Sequence, residues 1–298
     1  MADADQHRDL HGRDRRLGVR VLPRVLRTLS PSLYRLRAGV SSDVGSYREV
    51  NQDAAFAAPW AAAVADGVGG GPAGDLASAA LVHRLAAGSP RCADATELAG
   101  RIRAANWDLG AHVRRDPALA GMATTCTGLW LAAGGALLLA HTGDSRAYLL
   151  RGGALTRQTR DDSFVQALID QGLVRAEDAW SHPRRNIITA SLSGDERDVI
   201  RVETRDALLG DRWLLCSDGV TDYVPEPDVA AILATTPDPS EAAALIVALA
   251  LDAASRDNVT AVVCDIVDGA PDLAAVPRLA GAAAARFGEV VEEGLATA

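Results

Sequence analysis

The sequence of 298 residues predicts an α+β fold, a sandwich of antiparallel strands accompanied by helices. Two observations predict it. Short apolar runs bounded by turn residues come in two groups, and a pair of Ala-rich helical stretches follows each group. Apolar residues make up 48% of the chain, which is enough to bury one sizeable core.

The first group of strands begins after residue 34. Runs at 36–45, 53–59 and 61–67 are separated by Gly and by Asn-Gln-Asp, which are typical turn residues. Residues 74–87 and 95–115 place apolar side chains three or four positions apart, which predicts two helices.

The second group of strands lies in the middle of the chain. Residues 124–155 contain apolar runs separated by Gly-Gly and Gly-Asp turns, which predict three consecutive strands in a meander. Further elements are expected in chain order: a helical region at 163–180, strands at 198–203 and 212–216, helices at 227–233 and 240–254, and a last strand at 258–268.

We expect one catalytic domain at residues 35–268, with a segment on either side. Residues 1–34 are rich in Arg and Asp and contain two Pro, which is typical of a mobile arm. Apolar residues at helical spacing within this arm leave open a second possibility, docking on a partner or an anionic membrane surface. Residues 269–298 are Ala-rich and predict a peripheral helix or a tail.

The composition excludes several classes of protein. No apolar run reaches the roughly 18 residues that a membrane span needs, and no apolar stretch follows Met1 as in a signal peptide, so we expect a cytoplasmic protein without an integral membrane segment. The four cysteines are scattered singly, which argues against zinc and disulfide frameworks and predicts buried reduced thiols. None has Arg six positions later, so the motif of cysteine-dependent phosphatases is absent.

The charged residues point to divalent cations rather than nucleic acid. The net charge is -9 although residues 1–37 carry nine Arg and four Asp, so the acidity lies in the remaining body. An acidic body with few clustered bases binds nucleic acid poorly. The chain has no Lys, which excludes a Walker A phosphate loop.

The Gly-rich stretch at 64–74 could hold either a dinucleotide or a metal. Gly69, Gly71 and Gly74 satisfy the dinucleotide pattern G-x-G-x-x-G, and Asp94 follows about twenty residues later. The second parallel strand that this fold requires is missing, because residues 86–97 contain Pro and charges and no apolar run. A dinucleotide-dependent oxidoreductase is therefore disfavoured.

Aspartates at strand ends form a more consistent pattern. Asp66, Asp144 and Asp218 each follow a short apolar run, and Asp257 precedes the last one. Any one of them alone fits a turn or cap residue. Several carboxylates gathered at one end of a sandwich would repel one another unless Mg²⁺ or Mn²⁺ neutralised them, so the set predicts a metal site.

Seven short motifs follow one another in the chain. They are REVNQDA (48–54), ADGVGG (65–70), MATT (122–125), HTGDSRAY (141–148), HPRRNIIT (182–189), CSDGV (216–220) and RDNVTAVV (256–263). Their order and spacing resemble the metal-dependent protein phosphatases of type 2C in their bacterial form, over about residues 36–268. The resemblance implies a pair of β-sheets flanked by helices on both sides, in four layers α-β-β-α.

The resemblance also implies the chemistry and the residues. We expect hydrolysis of phosphoserine and phosphothreonine in proteins phosphorylated by serine/threonine kinases, with two Mn²⁺ or Mg²⁺ ions. Asp66 would bridge the ions, the Gly67 carbonyl would bind one, and Asp218 and Asp257 the other. Asp53 would hold metal-bound water. In addition, Arg48 is expected to bind the phosphate, Asp144 to hold a third ion together with Asp218, and Gly69–Gly71 to let the chain turn into the next helix.

Three departures from the family pattern bear on these roles. Gln52 stands where Glu is usual, which predicts weaker metal binding. Val68 replaces a His that could protonate the leaving group. His141 and His182 could substitute for it, although structural roles are expected for both. The segment 186–194 also departs from the usual pattern by losing an Arg and gaining a residue, and nothing in the sequence explains the effect.

Two further expectations concern substrate access and activity. Residues 163–185 correspond to the family's flap, and their sequence predicts a helix pair with a hinge near Gly172. Two function classes stay open: an active phosphatase, and a metal-binding pseudophosphatase that serves as a regulatory module. Retention of Arg48 and the aspartates favours the active enzyme.

Overall fold

Strands in two antiparallel sheets form the centre of the molecule. The computed structural model describes residues 34–68 and 73–289. In these residues the strands are β1 (Tyr34–Asp43), β2 (Asp53–Ala57), β3 (Ala61–Asp66), β4 (Cys126–Leu131), β5 (Leu137–Thr142), β6 (Arg146–Arg151), β7 (Ala154–Arg157), β8 (Arg201–Arg205), β9 (Arg212–Cys216), β10 (Val259–Asp268) and β11 (Arg278–Gly281).

The first sheet has the strand order β1-β10-β9-β6-β7, and the second has the order β11-β2-β3-β4-β5-β8. The helices are α1 (Gly74–Ala86), α2 (Ala95–Arg115), α3 (Phe164–Asp170), α4 (Asp218–Thr221), α5 (Glu226–Thr235), α6 (Pro239–Asp252) and α7 (Ala282–Phe287), with 3₁₀ turns at Pro117–Leu119 and Ala176–Ser181.

The layers follow from the alternation of side chains along each strand. In β2, Phe56 packs against helices α1 and α2, whereas Ala55 points into the space between the sheets. In β9, Trp213 points between the sheets and Leu214 packs against α5 and α6. The predicted order of layers, helices on both sides of two sheets, is confirmed.

The structure also bears on the predictions for the first helix pair, for membrane spans and for the cysteines. The helices α1 and α2 lie where they are predicted, and β3 and β4 on either side of them are antiparallel neighbours, which excludes the parallel dinucleotide fold. None of the helices that can be described here is long and apolar enough to cross a membrane. All four cysteines, Cys92, Cys126, Cys216 and Cys264, are buried and free.

The predicted meander is wrong. Strands β4 and β5 pair with each other in the second sheet, while β6 and β7 pair in the first sheet, so the chain crosses between the sheets after β5. The crossing is made at Gly143, whose φ is +108° and where a Cβ would lie 2.5 Å from a methyl carbon of Thr125. The crossing places Asp144 at the end of the sandwich.

The C-terminal prediction also needs correction. Residues 278–281 form the edge strand β11 on β2, where a helix or tail was expected, and only Ala282–Phe287 are helical. Leu279 and Ala283 are buried in the core beneath α1. The second sheet therefore includes residues beyond the predicted domain end at 268. The predicted arm at 1–34 lies outside the described residues, apart from Tyr34.

Candidate functional site

Aspartates from both sheets meet at one end of the sandwich. Asp53 begins β2 and Asp66 ends β3, and the two lie opposite each other in the antiparallel register. In the other sheet β9 and β10 are antiparallel. Asp218, just after β9, and Asp257, just before β10, therefore lie at the same end of that sheet. The predicted gathering of the strand-end residues Asp66, Asp218 and Asp257 is consistent with this geometry, and Asp53, expected from the family resemblance, lies at the same end.

A serine that sequence reasoning missed forms a hydrogen bond between the two sheets at this end. Ser217 Oγ donates to Asp53 Oδ2 at 2.6 Å, and the same oxygen accepts from Thr260 N at 3.1 Å. Asp53 is almost fully buried. The position of Ser217 between Cys216 and Asp218 was a usable signal, because it belongs to the motif CSDGV.

The backbone around Asp66 is held by two threonines. Asp66 N donates to Thr125 Oγ1 at 2.9 Å, and the Asp66 carbonyl accepts from Thr125 N at 2.8 Å and from Thr124 Oγ1 at 3.0 Å. These contacts fix the direction in which the Asp66 carboxylate leaves β3. The motif MATT supplies both threonines.

Position 67 requires glycine because of close packing. A Cβ on Gly67 would lie 2.2 Å from the Gly74 carbonyl oxygen, at the start of α1. Its φ is not among the positive values, so close approach alone explains the need for glycine. The predicted turn at Gly69–Gly71 lies outside the described residues.

Burial and mutual repulsion raise the pKa values of the clustered carboxyls. Burial raises the pKa of Asp53 to about 6 and that of Asp144 to about 7. Burial and then the charge of Asp53 raise the pKa of Asp66 well above its usual value, and burial and then the charge of Asp144 do the same for the pKa of Asp218. The cluster needs positive charge to ionise fully.

Asp218 gives the clearest indication that this site binds a cation. Its Oδ1 is buried and has no hydrogen-bond partner among the described residues. A buried carboxylate oxygen without a partner costs free energy unless a cation or donor satisfies it. The surrounding polar atoms are carboxylate oxygens. Mg²⁺ and Mn²⁺ prefer oxygen ligands of this type, so the residues present fit such an ion.

The carboxylates do not converge on one point as they lie here. Among the described residues no three His, Cys, Asp or Glu side chains are placed to hold a metal ion together. Two of the expected ligands have other partners: Asp53 accepts from Ser217, and Asp257 Oδ2 accepts from Arg48 Nη2 at 2.7 Å. The metal roles of Asp53, Asp66, Gly67, Asp144, Asp218 and Asp257 thus remain predictions.

Arg48 lies at the rim of the site. Its side chain is 41% exposed, and it lines one cavity of 170 Å³ together with residues of both sheets and of the crossing. Asn258, which sequence reasoning missed, anchors the loop that carries it: Nδ2 donates to the Val44 and Val50 carbonyls at 2.9 and 3.1 Å, and Oδ1 accepts from Gln52 N at 2.8 Å. The cavity is lined by Arg48, Gln52, Asp66, Gly67, Val68, Thr125, Asp144, Asn186, Ile188, Asp218 and Asp257.

The two histidines have structural surroundings. His141 is buried between Thr127 Oγ1, 2.9 Å from Nδ1, and the Arg160 carbonyl, 2.9 Å from Nε2, and burial lowers its pKa. His182 Nδ1 accepts from Arg184 N at 3.1 Å on the flap. Neither residue lines the cavity that contains Asp66 and Asp218. Both therefore fit the structural roles expected for them.

The flap folds as a helix and a 3₁₀ turn. Helix α3 ends at Asp170, Gly172 has a φ of +70°, and the second half is the 3₁₀ turn Ala176–Ser181 in place of the predicted second helix. A second cavity of 340 Å³ lies between the flap and the strand ends. Asp144 and Asp218 line both cavities.

Known proteins define the class to which this fold and this site belong. Residues 46–253 match the sequence profile of the protein phosphatase 2C family. That match covers more than half of the chain. The chain belongs to the protein phosphatase 2C family.

Two curated relatives illustrate the range of similarity. The serine/threonine protein phosphatase PstP of Mycobacterium tuberculosis is 44% identical over 237 residues, which are 78% of this chain and 45% of that protein. The serine/threonine phosphatase stp of Listeria monocytogenes is 33% identical over 204 residues, 66% of this chain and 81% of that protein. The chain spans about half the length of the mycobacterial relatives that it matches.

Solved structures share the fold. The catalytic domain of PstP in complex with two manganese ions has a TM-score of 0.73 and 40% identity, covering 79% of this chain and 100% of that one. A bacterial serine phosphatase has a TM-score of 0.72 and 29% identity, covering 78% and 99%.

Proposed function

We propose that this chain hydrolyses phosphoserine and phosphothreonine in proteins, using Mn²⁺ or Mg²⁺ ions held at the described end of the sandwich. The observation that carries the proposal is the buried Oδ1 of Asp218, which has no partner among the described residues and lies in a cluster of carboxyls with raised pKa values. The manganese ions in the related PstP structure support it.

The proposed ligands are the carboxylates of Asp66, Asp218 and Asp257 and the carbonyl of Gly67, with Asp53 close by. Bound divalent ions supply positive charge that activates water and stabilises a phosphoryl group under attack. Asp53, held by Ser217, accepts a hydrogen bond from the attacking water. Asp144 and Asp218, which both line the two cavities, would hold a further ion.

Arg48 grips the phosphate group. Its planar guanidinium can donate to two phosphate oxygens at once, and its partly exposed place at the rim of the cavity suits an incoming phosphoprotein. To bind the phosphate, the Arg48 side chain breaks its contact with Asp257, whose Oδ2 lies 2.7 Å from Arg48 Nη2 in the structure. Val68 carries no proton donor beside the site, so solvent protonates the leaving alkoxide.

A pseudophosphatase is not favoured by any observation on the described residues, since Arg48 and all five aspartates are retained at one site. The N-terminal arm keeps its two predicted alternatives, because it lies outside the described residues. A cytoplasmic location is part of the proposal and is supported by four free cysteines, which are typical of a reducing compartment.

The test is hydrolysis of p-nitrophenyl phosphate and of a phosphothreonine peptide with and without Mn²⁺. We expect Mn²⁺-dependent turnover that Asp66→Asn and Asp218→Asn each lower by more than about 100-fold, beyond the loss typical of residues that only support a ligand. Asp108→Asn, on the outer face of α2, is the matched control and should retain wild-type turnover. A folded wild-type protein without turnover at any Mn²⁺ or Mg²⁺ concentration would overturn the proposal.

A further inference from the structure

The cavity beneath the flap is built from two unlike walls. One wall is the flap, with the apolar side chains Val165, Ile169 and Ala179 and the ring of Trp180. The other wall carries charged residues from the crossing, from β6 and β7 and from α4 and α5. We call this 340 Å³ space the flap cavity; its size falls within the roughly 300–1,000 Å³ of ligand pockets. The charged wall consists of Asp144, Arg146, Arg157, Asp161, Asp218, Asp222 and Glu226.

The cations that line the flap cavity already have anionic partners. Arg146 Nη2 lies 2.8 Å from Asp161 Oδ2, and Arg157 pairs with the same carboxylate. Arg185, from the flap, lies 3.3 Å from Asp222. Each of these guanidinium groups therefore has a carboxylate partner, with Asp161 shared by Arg146 and Arg157.

One carboxylate of the lining has no such partner. Glu226, the first residue of α5, makes no ion pair or side-chain hydrogen bond with any residue that the structure describes, and it is exposed. Asp144 and Asp218 also face the flap cavity, but the proposed function uses them for metal ions. Glu226 is thus the negative charge that remains available for a ligand.

The flap supplies an aromatic ring to the same space. Trp180 is 73% exposed, a large apolar surface to leave in water, and it lines the flap cavity as Glu226 does. A cation is attracted both to the face of an indole and to a carboxylate. Thr221 Oγ1, also in the lining, is buried without a hydrogen-bond partner among the described residues and can accept one from an N–H group.

We infer that the flap cavity binds a basic side chain, Arg or Lys, of the substrate protein. This inference rests on the proposed function, because the ligand is part of the phosphoprotein whose phosphate enters the neighbouring cavity. Since Asp144 and Asp218 line both cavities, the basic residue lies a few positions from the phosphorylated one in the same segment. Arg is preferred over Lys, since a planar guanidinium stacks on indole and donates to Glu226 and Thr221 together.

The experiment compares phosphothreonine peptides in which a single Arg replaces Ala at each position within four residues of the phosphothreonine. A parallel series carries Glu in place of Arg. The ratio of kcat/KM for the Arg peptide to that for the all-Ala peptide measures the preference at each position. For wild type we expect a ratio of about 5 to 10 at one position or at two neighbouring positions, and no gain in the Glu series.

The variants test which side chains cause the preference. Glu226→Gln and Trp180→Ala should each lower the ratio at that position by about three- to fivefold. The matched controls are Glu177→Gln, a flap carboxylate paired with Arg175 outside the lining, and Trp107→Ala, an exposed indole on α2. Both controls should keep the wild-type ratio.

Three results would overturn the inference: equal ratios at every position, a preference for Glu, or a preference for Arg that the two variants and the two controls change alike. Hydrolysis of the all-Ala peptide by wild type tests the proposed function separately. Affinities of the fluorescein-labelled peptides, measured by anisotropy, decide the inference without turnover. Tighter binding of the Arg peptide that depends on Glu226 and Trp180 would support the flap cavity even if hydrolysis failed.

Discussion

Two groups of aspartates in this molecule differ in their hydrogen-bond and ion-pair partners. In the paired group each carboxylate has an arginine: Arg212 donates to Asp265 at 2.6 and 2.8 Å, and Arg201 donates to Asp162 at 2.8 and 2.7 Å. Asp211 and Asp161 are held in the same way by other arginines. In the site group, Asp53, Asp66, Asp144 and Asp218 have no arginine partner among the described residues.

The pKa values reflect this difference. Burial acts to raise the pKa of Asp162, but hydrogen bonds from Arg201 and from Gly143 N outweigh it and the pKa is lowered. Burial raises the pKa of all four carboxyls of the site group, and their neighbours are mostly other carboxyls. The chain neutralises one group internally and leaves the other for a cation from solution.

The largest expected effect is on stability, through the paired group. Asp265→Asn leaves the buried Arg212 without its counter-charge, and we expect the free energy of unfolding to fall by about 3 to 5 kcal/mol. Asp218→Asn removes repulsion and should leave stability in EDTA unchanged or higher. Urea denaturation of both variants in EDTA measures this difference. An equal loss in the two variants would contradict it.

Divalent cations should produce the next largest effect. If the site group is neutralised by Mn²⁺, wild type should gain about 2.7 kcal/mol of stability at a free Mn²⁺ concentration of 100 times Kd. Thermal unfolding with increasing Mn²⁺ measures the gain. Asp218→Asn should gain much less, whereas Asp108→Asn should respond as wild type does. A gain of the same size in Asp218→Asn would place the bound ion elsewhere.

Replacing Gln52 by the Glu that is usual in the family should increase the difference in metal binding between the site group and the paired group. Gln52 lines the cavity with Asp66 and Asp218, and Gln52→Glu adds a negative charge that only a cation can neutralise there. We expect Mn²⁺ affinity, measured by calorimetry, to rise by about 10-fold. Gln158→Glu, outside that cavity, controls for net charge. Unchanged affinity would show that the difference from the usual family residue has no effect on the metal.

The last expected effect is the dependence of stability on pH. A carboxyl whose pKa is raised in the folded state holds its proton there after the unfolded chain has lost it. Asp53, at about 6, and Asp144, at about 7, therefore make stability in EDTA fall as the pH rises from about 4 towards 7, and the effect is complete above that.

Urea midpoints at pH 5 and pH 7 in EDTA measure this slope. Asp144→Asn should flatten it, because the amide does not titrate. The paired Asp162, with its lowered pKa, contributes in the opposite direction: its stabilisation is lost as the pH falls. A wild-type protein whose stability in EDTA rises steadily from pH 5 to pH 7 would contradict the assignment of raised pKa values to the site group.

Much of this arrangement could be predicted from the sequence, because strand ends are local features. The aspartates at the end of β3, after β9 and before β10 were found from apolar runs next to a carboxylate. The crossing at Gly143 was missed, since the turn residues look alike whether the next strand pairs in the same sheet or in the other one. The edge strand β11 was missed because four residues in an Ala-rich context also fit a helix.

The partners of the aspartates could not be predicted in the same way. Arg48 and Asp257 are 209 positions apart, and Ser217 and Asp53 are 164 apart, so only the folded chain brings them together. The same holds for the flap cavity, whose two walls come from four separate segments. The residue types of a site are readable from local patterns, whereas its pairings depend on the tertiary fold.

The most direct test of the contrast between the two groups is the number of Mn²⁺ ions bound per chain, measured by calorimetry and by electron paramagnetic resonance. The proposal predicts at least two ions in wild type and in Asp108→Asn, with fewer and weaker ions in Asp66→Asn and Asp218→Asn. Absence of Mn²⁺ binding in folded wild-type protein, or equal binding in all four proteins, would contradict the claim that the unpaired aspartates hold the metal.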